Sequence, residues 1–154
     1  MGIDPGRDKV GWAFVSRDGN LILSGIFPAS EAETFFKVLS HPAGEWKERL
    51  AQWTCEWCSC VGELELEYVA LGDGIGSRET MSRLVRFNLK TVLVDEEGTT
   101  LAARNLYWRL HRPVWWQRCL PRSLCFPPRG VDDLAAWGIA LRSLAIPFQR
   151  IGRE

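Results

Sequence analysis

The sequence predicts an α/β fold. A mixed five-stranded sheet, three antiparallel strands followed by two parallel ones, carries helices on both faces. Three short apolar runs near the start are separated only by turn residues, which is typical of an antiparallel meander. After them, apolar segments of strand length alternate with segments of helical periodicity, which is typical of crossovers to parallel strands. The 154 residues, 46% of them hydrophobic, are enough for a single domain spanning 1–154.

The strands are predicted from short apolar runs that end at turn residues. Arg17-Asp-Gly-Asn20 marks the turn between the second and third strands. The last two strands are mainly apolar, so we expect them to be buried. The predicted strands cover residues 2–4, 10–16, 21–27, 67–71 and 91–94.

The helices are predicted from capping signals and from apolar residues three or four positions apart. Ser30-Glu-Ala-Glu33 has the pattern of a capping box and predicts a helix that begins there. A tryptophan-rich stripe (Trp46, Leu50, Trp53, Trp57 and Val61) predicts a long second helix over 45–61. The other predicted helices cover 78–87, a segment from Thr99 or Thr100 to about 110, and 131–144.

The net charge is zero, with 19 basic and 19 acidic residues, but the charges are segregated. Residues 98–131 contain six arginines and no acid, which leaves a net charge of minus six on the rest of the chain. A local basic face is enough to attract a polyanion such as nucleic acid. No apolar run reaches the ~18 residues of a membrane span, and no signal peptide is recognisable, so we expect a cytoplasmic protein without membrane association.

Acidic residues stand where four predicted elements stop or start. They are Asp4, Asp73, the pair Asp95 and Glu96, and the pair Asp132 and Asp133. The carboxyl ends of neighbouring strands lie together in α/β sheets, so these carboxylates could converge. Crowded carboxylates repel one another unless a cation lies among them, and Mg²⁺ or Mn²⁺ favours oxygen ligands. Each acid taken singly also fits a turn or a helix cap.

Three short segments, in order along the chain, resemble the YqgF/RuvX family. Gly2-Ile-Asp-Pro-Gly6 with Lys9-Val10-Gly11 resembles the family's Asp-x-Gly-x-x-Arg-Ile-Gly, with lysine in place of arginine. Val94-Asp-Glu-Glu-Gly-Thr-Thr100 resembles Val-Asp-Glu-Arg-Leu-Thr-Thr, and Val131-Asp-Asp-Leu-Ala-Ala136 resembles the start of the final helix. Leu71-Gly-Asp-Gly-Ile75 stands where the family has Gly-Leu-Pro. Its aspartate is closer to the classical junction resolvases.

The resemblance implies an RNase H-like fold and a metal-dependent nuclease that hydrolyses phosphodiester bonds in structured nucleic acid. The substrate would be a Holliday junction or another branched DNA, or a precursor of 16S ribosomal RNA. Asp4, Glu96 and Asp132 would be catalytic and would hold Mg²⁺ or Mn²⁺, with Asp73 and Asp95 as further ligands. Lys9 would bind the phosphate backbone.

Two other functions stay open. The departures at Glu97 and in the Gly-Leu-Pro segment are compatible with a catalytically inactive, nucleic-acid-binding relative of the same fold. An actin-like phosphotransferase shares an early Asp-x-Gly, but the chain is short for two lobes. Both a monomer and a homodimer are compatible with the sequence.

Residues 107–118 interleave aromatic side chains with arginines. Arginines attract phosphates and unpaired bases stack on aromatic rings, so we expect Arg112, Trp115, Trp116 and Arg118 to bind nucleic acid. The alternative is that the tryptophans belong to the core. The five cysteines (Cys55, Cys58, Cys60, Cys119 and Cys125) could hold structural zinc or simply pack as small apolar residues.

Overall fold

A computed structural model describes residues 1–58, 64–111, 119 and 126–145. The chain forms one mixed sheet of six strands in the order β4-β3-β2-β1-β5-β6. The strands are β1 (Gly2–Pro5), β2 (Lys9–Val15), β3 (Leu21–Pro28), β4 (Thr54–Trp57), β5 (Val69–Gly72) and β6 (Thr91–Val94). The helices are α1 (Ala32–Leu39), α2 (Trp46–Leu50), α3 (Ser77–Arg86), α4 (Thr99–Leu110) and α5 (Asp132–Ser143).

The predicted meander is confirmed. β1, β2 and β3 pair antiparallel in sequence order, and β5 and β6 continue the sheet parallel to β1. In the β1–β2 register, Gly2 lies opposite Ala13 and Asp4 lies opposite Gly11. Because side chains alternate across a strand, these four residues share one face of the sheet.

The prediction of five strands is wrong, because β4 adds a sixth at the outer edge of β3. The predicted helix over 45–61 is therefore also wrong. It is reduced to α2 and a 3₁₀ turn at Ala51–Trp53, and the chain then extends as β4. Thr54 lies opposite Gly25 of β3, so pairing with an open sheet edge replaces helical continuation.

The tryptophan stripe is only partly a core face. Trp46, Leu50 and Trp53 are buried, and the Trp53 indole donates a 2.6 Å hydrogen bond to Glu31. Trp57 lies in β4 and is 51% exposed, and Val61 lies outside the described residues. The apolar spacing of the stripe therefore corresponds to helical structure only as far as Trp53, after which the chain continues as β4.

Two details of the predicted ends also differ. No capping box forms at Ser30, because a 3₁₀ turn at Ala29–Glu31 precedes α1 and α1 begins without a side-chain cap. β6 is not buried on both faces, since it is the edge strand of the sheet and Leu93 is 56% exposed.

Helices cover both faces of the sheet. On one face α1, α2 and α3 pack over a core that includes Ile3 and Trp12. On the other face α4 and α5 pack over Ala13 and Leu21. Within the described parts of the chain, the helices are all too short or too polar to cross a membrane.

α5 approaches the sheet so closely that its backbone rests on glycines. A Cβ atom at Gly2 would overlap the carbonyl of Ala136, and one at Gly11 would overlap the carbonyl of Asp132. Since Gly11 lies opposite Asp4, this contact brings the first turn of α5 to the end of β1. The glycines of β1 and β2 thus fix where Asp132 lies.

We predict that Gly11→Ala destabilises the protein by about 1–3 kcal/mol or more, because the added methyl group must displace the α5 backbone. Urea unfolding would measure the loss. Gly44→Ala is the matched control, because a Cβ there meets no atom within 4 Å. Equal stability of the two variants would contradict the close packing of α5.

Candidate metal centre

Acidic side chains from separate elements lie at the carboxyl edge of β1, β5 and β6. Asp4 is the next-to-last residue of β1, Asp73 directly follows β5, and Glu96 follows β6. Asp132 is the first residue of α5, which the glycine contacts hold over β1 and β2. Strand ends and one helix start thus converge as the sequence predicts.

The carboxyl group of Asp4 is affected by its burial and by three neighbouring charged side chains. Burial raises the pKa of Asp4, and the negative charges of Glu96 and Asp132 raise it further, while Lys9 lowers it. The result is a pKa of about 7. Glu96 and Asp132 are therefore each close enough to act on Asp4, which is partly protonated at neutral pH.

Glu96 fits against glycines at the end of β5. Its backbone N–H donates a 3.1 Å hydrogen bond to Asp73, which ties the loop after β6 to the loop after β5. A Cβ at Gly72 would lie 2.7 Å from Glu96 Oε2, and one at Gly74 would overlap Oε1, so larger residues would push the carboxylate away. Glu96 Oε2 is buried and has no hydrogen-bond partner among the described residues. Burial and then the charge of Asp73 raise the pKa of Glu96, although a hydrogen bond from the Gly74 backbone opposes them.

Asp132 is paired with Lys9. The ammonium of Lys9 lies 2.7 Å from Asp132 Oδ2, and the lysine side chain remains 51% exposed. A Cβ at Gly130 would lie 2.9 Å from both groups, so glycine leaves room for the pair. The residue expected to bind phosphate thus lies beside the carboxylates, at the surface.

Asp73 and Asp95 lie on either side of Glu96, and both raise its pKa. Asp73 accepts the hydrogen bond from the Glu96 backbone. Asp95 accepts a 2.8 Å hydrogen bond from the Glu97 backbone and has Arg142 at 3.8 Å from its other oxygen. The Asp95 side chain therefore contacts its own loop and Arg142 of α5.

A buried charge network lies directly behind the site, and sequence reasoning did not find it. Asp133 is fully buried and accepts hydrogen bonds from Ser24 at 2.7 Å and from Arg129 at 2.8 and 3.2 Å. Arg129 also donates to Glu56, which His111 contacts at 2.8 Å. The network joins β3, β4, the end of α4 and the start of α5.

Glu56 falls within the predicted helix over 45–61, but it does not lie on a helix. Glu56 lies in β4 with a side chain only 12% exposed. Burial raises its pKa, but hydrogen bonds from Arg129 and His111 lower it overall. Arg129 is consequently neutralised by two carboxylates and is not free to bind phosphate. The four-residue spacing of Arg129 and Asp133 was the only local signal for this network.

The donor set suits a hard divalent cation, although its present arrangement is not a closed cage. Among residues 1–58, 64–111, 119 and 126–145, no three or more His, Cys, Asp or Glu side chains are grouped so that they could hold a metal ion. Lys9 forms an ion pair with one oxygen of Asp132, and the carboxylate of Glu96 packs against Gly74. Carboxylate oxygens, one of them buried without a partner, are nevertheless the ligands that Mg²⁺ and Mn²⁺ favour.

Other predicted residues lie away from this edge or outside the described chain. Arg112, Trp115, Trp116 and Arg118 are outside the described residues, as are Cys60 and Cys125. Cys55, Cys58 and Cys119 are free and exposed. Cys55 lies in β4 rather than in a helix, and zinc binding stays a prediction.

No family model matches the chain, and no curated protein matches it.

We predict that Asp4→Asn stabilises the metal-free protein at pH 8 and that the gain shrinks towards pH 5. The Asp4 pKa is raised from 3.8 to about 7 on folding, so the folded state binds more protons between these values. Stability is therefore lost as the pH rises through this range, by up to about 4 kcal/mol for three pKa units. Urea unfolding in EDTA measures the difference.

Asp18→Asn is the control for this prediction, because Asp18 is an exposed turn residue. Its unfolding should match the unsubstituted protein at both pH values. An Asp4→Asn variant that is no more stable at pH 8 would show that Asp4 is not crowded by Glu96 and Asp132.

We predict that Arg129→Met destabilises the protein by about 3–5 kcal/mol, because the fully buried Asp133 loses its cation. Arg86→Met is the matched control. Arg86 forms an exposed ion pair with Glu33, so its loss should cost less than about 1 kcal/mol. Similar losses in urea unfolding for both variants would contradict the buried network.

Proposed function

We propose that this chain is a metal-dependent nuclease with an RNase H-like fold, related to the YqgF/RuvX family. It would hydrolyse phosphodiester bonds in structured nucleic acid, either branched DNA or a ribosomal RNA precursor. One observation carries the proposal. Asp4, Glu96 and Asp132 come from three separate elements, yet both neighbours raise the pKa of Asp4, to about 7.

The arrangement of the strands supports the proposal. Three antiparallel strands followed by two parallel ones, with helices on both faces, is the arrangement that the family resemblance implies. The extra strand β4 lies beyond β3, which is the far side of the sheet from β5 and β6. It enlarges the sheet without entering the edge where the carboxylates of Asp4 and Glu96 meet.

The electrostatics also support a bound cation. Asp4, Glu96 and Asp132 would hold one or two Mg²⁺ or Mn²⁺ ions, with Asp73 or Asp95 assisting. Such an ion lowers the pKa of a water molecule and offsets the charge that develops on the phosphodiester. A divalent charge would offset the burial and the repulsion that now raise the pKa of Asp4, and it would give Glu96 Oε2 the partner it lacks among the described residues.

Residues of the chain itself would position the substrate. Lys9 is half exposed beside Asp132, so its ammonium is placed to neutralise a phosphate that approaches the carboxylates. Arg129 would act indirectly, because its ion pair with the adjacent Asp133 holds the first turn of α5 in place. The buried network would thus keep Asp132 at the edge of the sheet.

A catalytically inactive nucleic-acid-binding protein is the second candidate. The Lys9–Asp132 ion pair favours it, because a lysine already supplies the positive charge that a metal would bring. The glutamate at position 97, where the family has arginine, points the same way. Binding of branched DNA that is insensitive to Mg²⁺ and Mn²⁺, without any cleavage, would identify this function.

We predict that Asp4→Asn and Asp132→Asn each reduce cleavage of a four-way DNA junction or a structured RNA to background in Mn²⁺, because each removes a ligand. Gel analysis of labelled substrates measures the rate, and circular dichroism verifies folding. Asp18→Asn, an exposed carboxylate at the opposite end of β2, is the control and should cleave normally. Full activity of Asp4→Asn or Asp132→Asn would overturn the proposed mechanism.

A further inference from the structure

A cavity opens at the carboxylate edge of the sheet, on the face opposite α5. Its volume is about 480 Å³, and we call it the Arg7 cavity. Its lining includes Gly6, Arg7, Ser30, Gly76, Thr80 and Arg83. Gly6 and Arg7 lie in the turn that directly follows β1, so the cavity begins two residues beyond Asp4.

Thr80 gives the Arg7 cavity an unused hydrogen-bonding group. The residue is only 5% exposed, yet it lines the cavity, and its hydroxyl has no hydrogen-bond partner among the described residues. The hydroxyl oxygen is not among the buried side-chain atoms that lack a partner, so it is open to the cavity although most of the residue is covered. A ligand that accepts or donates a hydrogen bond in the cavity would satisfy this group.

The start of α3 faces the same space. Gly76 precedes α3 with φ +93°, and no side chain caps the helix. The amides of Ser77 and Thr80 bond to the carbonyls of Gly74 and Gly76, whereas no backbone acceptor within the described residues takes the amides of Arg78 and Glu79. Free amides and the helix dipole favour an anion at this position.

Among the charged residues that line the Arg7 cavity, Glu79 and Arg83 neutralise each other, and Arg7 has no counter-charge within the described residues. Glu79 is paired with Arg83 at 2.6 Å, and Arg83 also contacts the carbonyl of Ala29. Arg7 is exposed and forms no ion pair with any residue that the structure describes. A single negative group would therefore complete the balance, and Arg7 could contact it with two N–H donors.

Ile75 provides an apolar neighbour for this anion. It lines the Arg7 cavity and is 66% exposed, although it is a large hydrophobic residue. A ligand with a phosphate and an adjoining sugar or base would contact the arginine, the hydroxyl and the isoleucine at once. Inorganic phosphate would leave the isoleucine uncovered.

We infer that the Arg7 cavity binds a backbone phosphate of the nucleic-acid strand that runs over the carboxylate edge, next to the phosphate at Asp4. This inference rests on the proposed function, since it names where the substrate of that site is held. Arg7 would pair with the phosphate charge. Thr80 and the free amides of α3 would donate hydrogen bonds to its oxygens.

The test measures binding of a fluorescein-labelled four-way DNA junction by anisotropy, in EDTA and at several salt concentrations. Arg7→Gln should weaken binding about tenfold and lower the salt slope by about one, because one phosphate contact is lost. Thr80→Val should also weaken binding about tenfold but leave the salt slope unchanged. Thr80→Ser should bind like the unsubstituted protein, since it restores the hydroxyl.

Arg17→Gln is the matched control, because Arg17 is an exposed arginine at the other end of β2. It should leave the affinity unchanged within twofold. Thr80→Val has nearly the shape of threonine and removes a hydroxyl that bonds to no described residue, so urea unfolding should show no loss of stability. Weaker binding by this variant would therefore not reflect unfolding.

Failure of this inference and failure of the proposed function give different results. If Arg7→Gln and Thr80→Val bind the junction like the unsubstituted protein, the phosphate subsite is wrong even when Mn²⁺ supports cleavage. If both variants bind weakly but the unsubstituted protein never cleaves, the subsite is supported and the nuclease proposal fails. No binding of the junction by the unsubstituted protein overturns both.

Discussion

The direct contact of α5 with the sheet is the constraint on which the rest of the structure depends. At Gly2 and Gly11 there is no room for a side chain, so the helix backbone lies against the strands. Interiors packed at this density transmit even small shifts, because atoms have no free space to absorb them. The position of Asp132 over the end of β1 is therefore a result of backbone packing rather than of its own side-chain contacts.

Two consecutive aspartates at the start of α5 show how the fold separates structural charge from chemical charge. Asp133 points into the protein, where Arg129 and Ser24 satisfy it fully. Asp132 lies near Asp4, and Lys9 is its one ion-pair partner in the described part of the chain. The carboxylate of Asp133 is thus fixed by its buried partners, while the partly exposed carboxylate of Asp132 can exchange Lys9 for another positive partner. A site that binds a charged ligand needs both kinds of group next to each other.

Features that follow from local patterns and from the general layout of an α/β sheet could be predicted from the sequence, and individual side-chain partners far away along the chain could not. The meander follows from apolar runs and an Asp-Gly turn, and the acids at the strand ends predicted which residues would meet. The tryptophan stripe was misread, because its period cannot reveal that the edge of β3 is free to pair with Thr54. The buried network around Asp133 was missed because Ser24, which donates to Asp133, and Glu56, which shares Arg129 with it, lie far away along the chain.

α5 also connects both sides of the carboxylate edge. Its first residue is Asp132, and near its last turn Arg142 donates to the carbonyls of Asp95 and Glu97, on either side of Glu96. Ten residues of helix span about 15 Å, and each residue adds a rotation of about 100°. Inserting or deleting a single residue between these ends would swing one anchor off the sheet while the other stayed. The helix therefore works as a fixed-length spacer, whose outward surface can vary freely but whose residue count cannot.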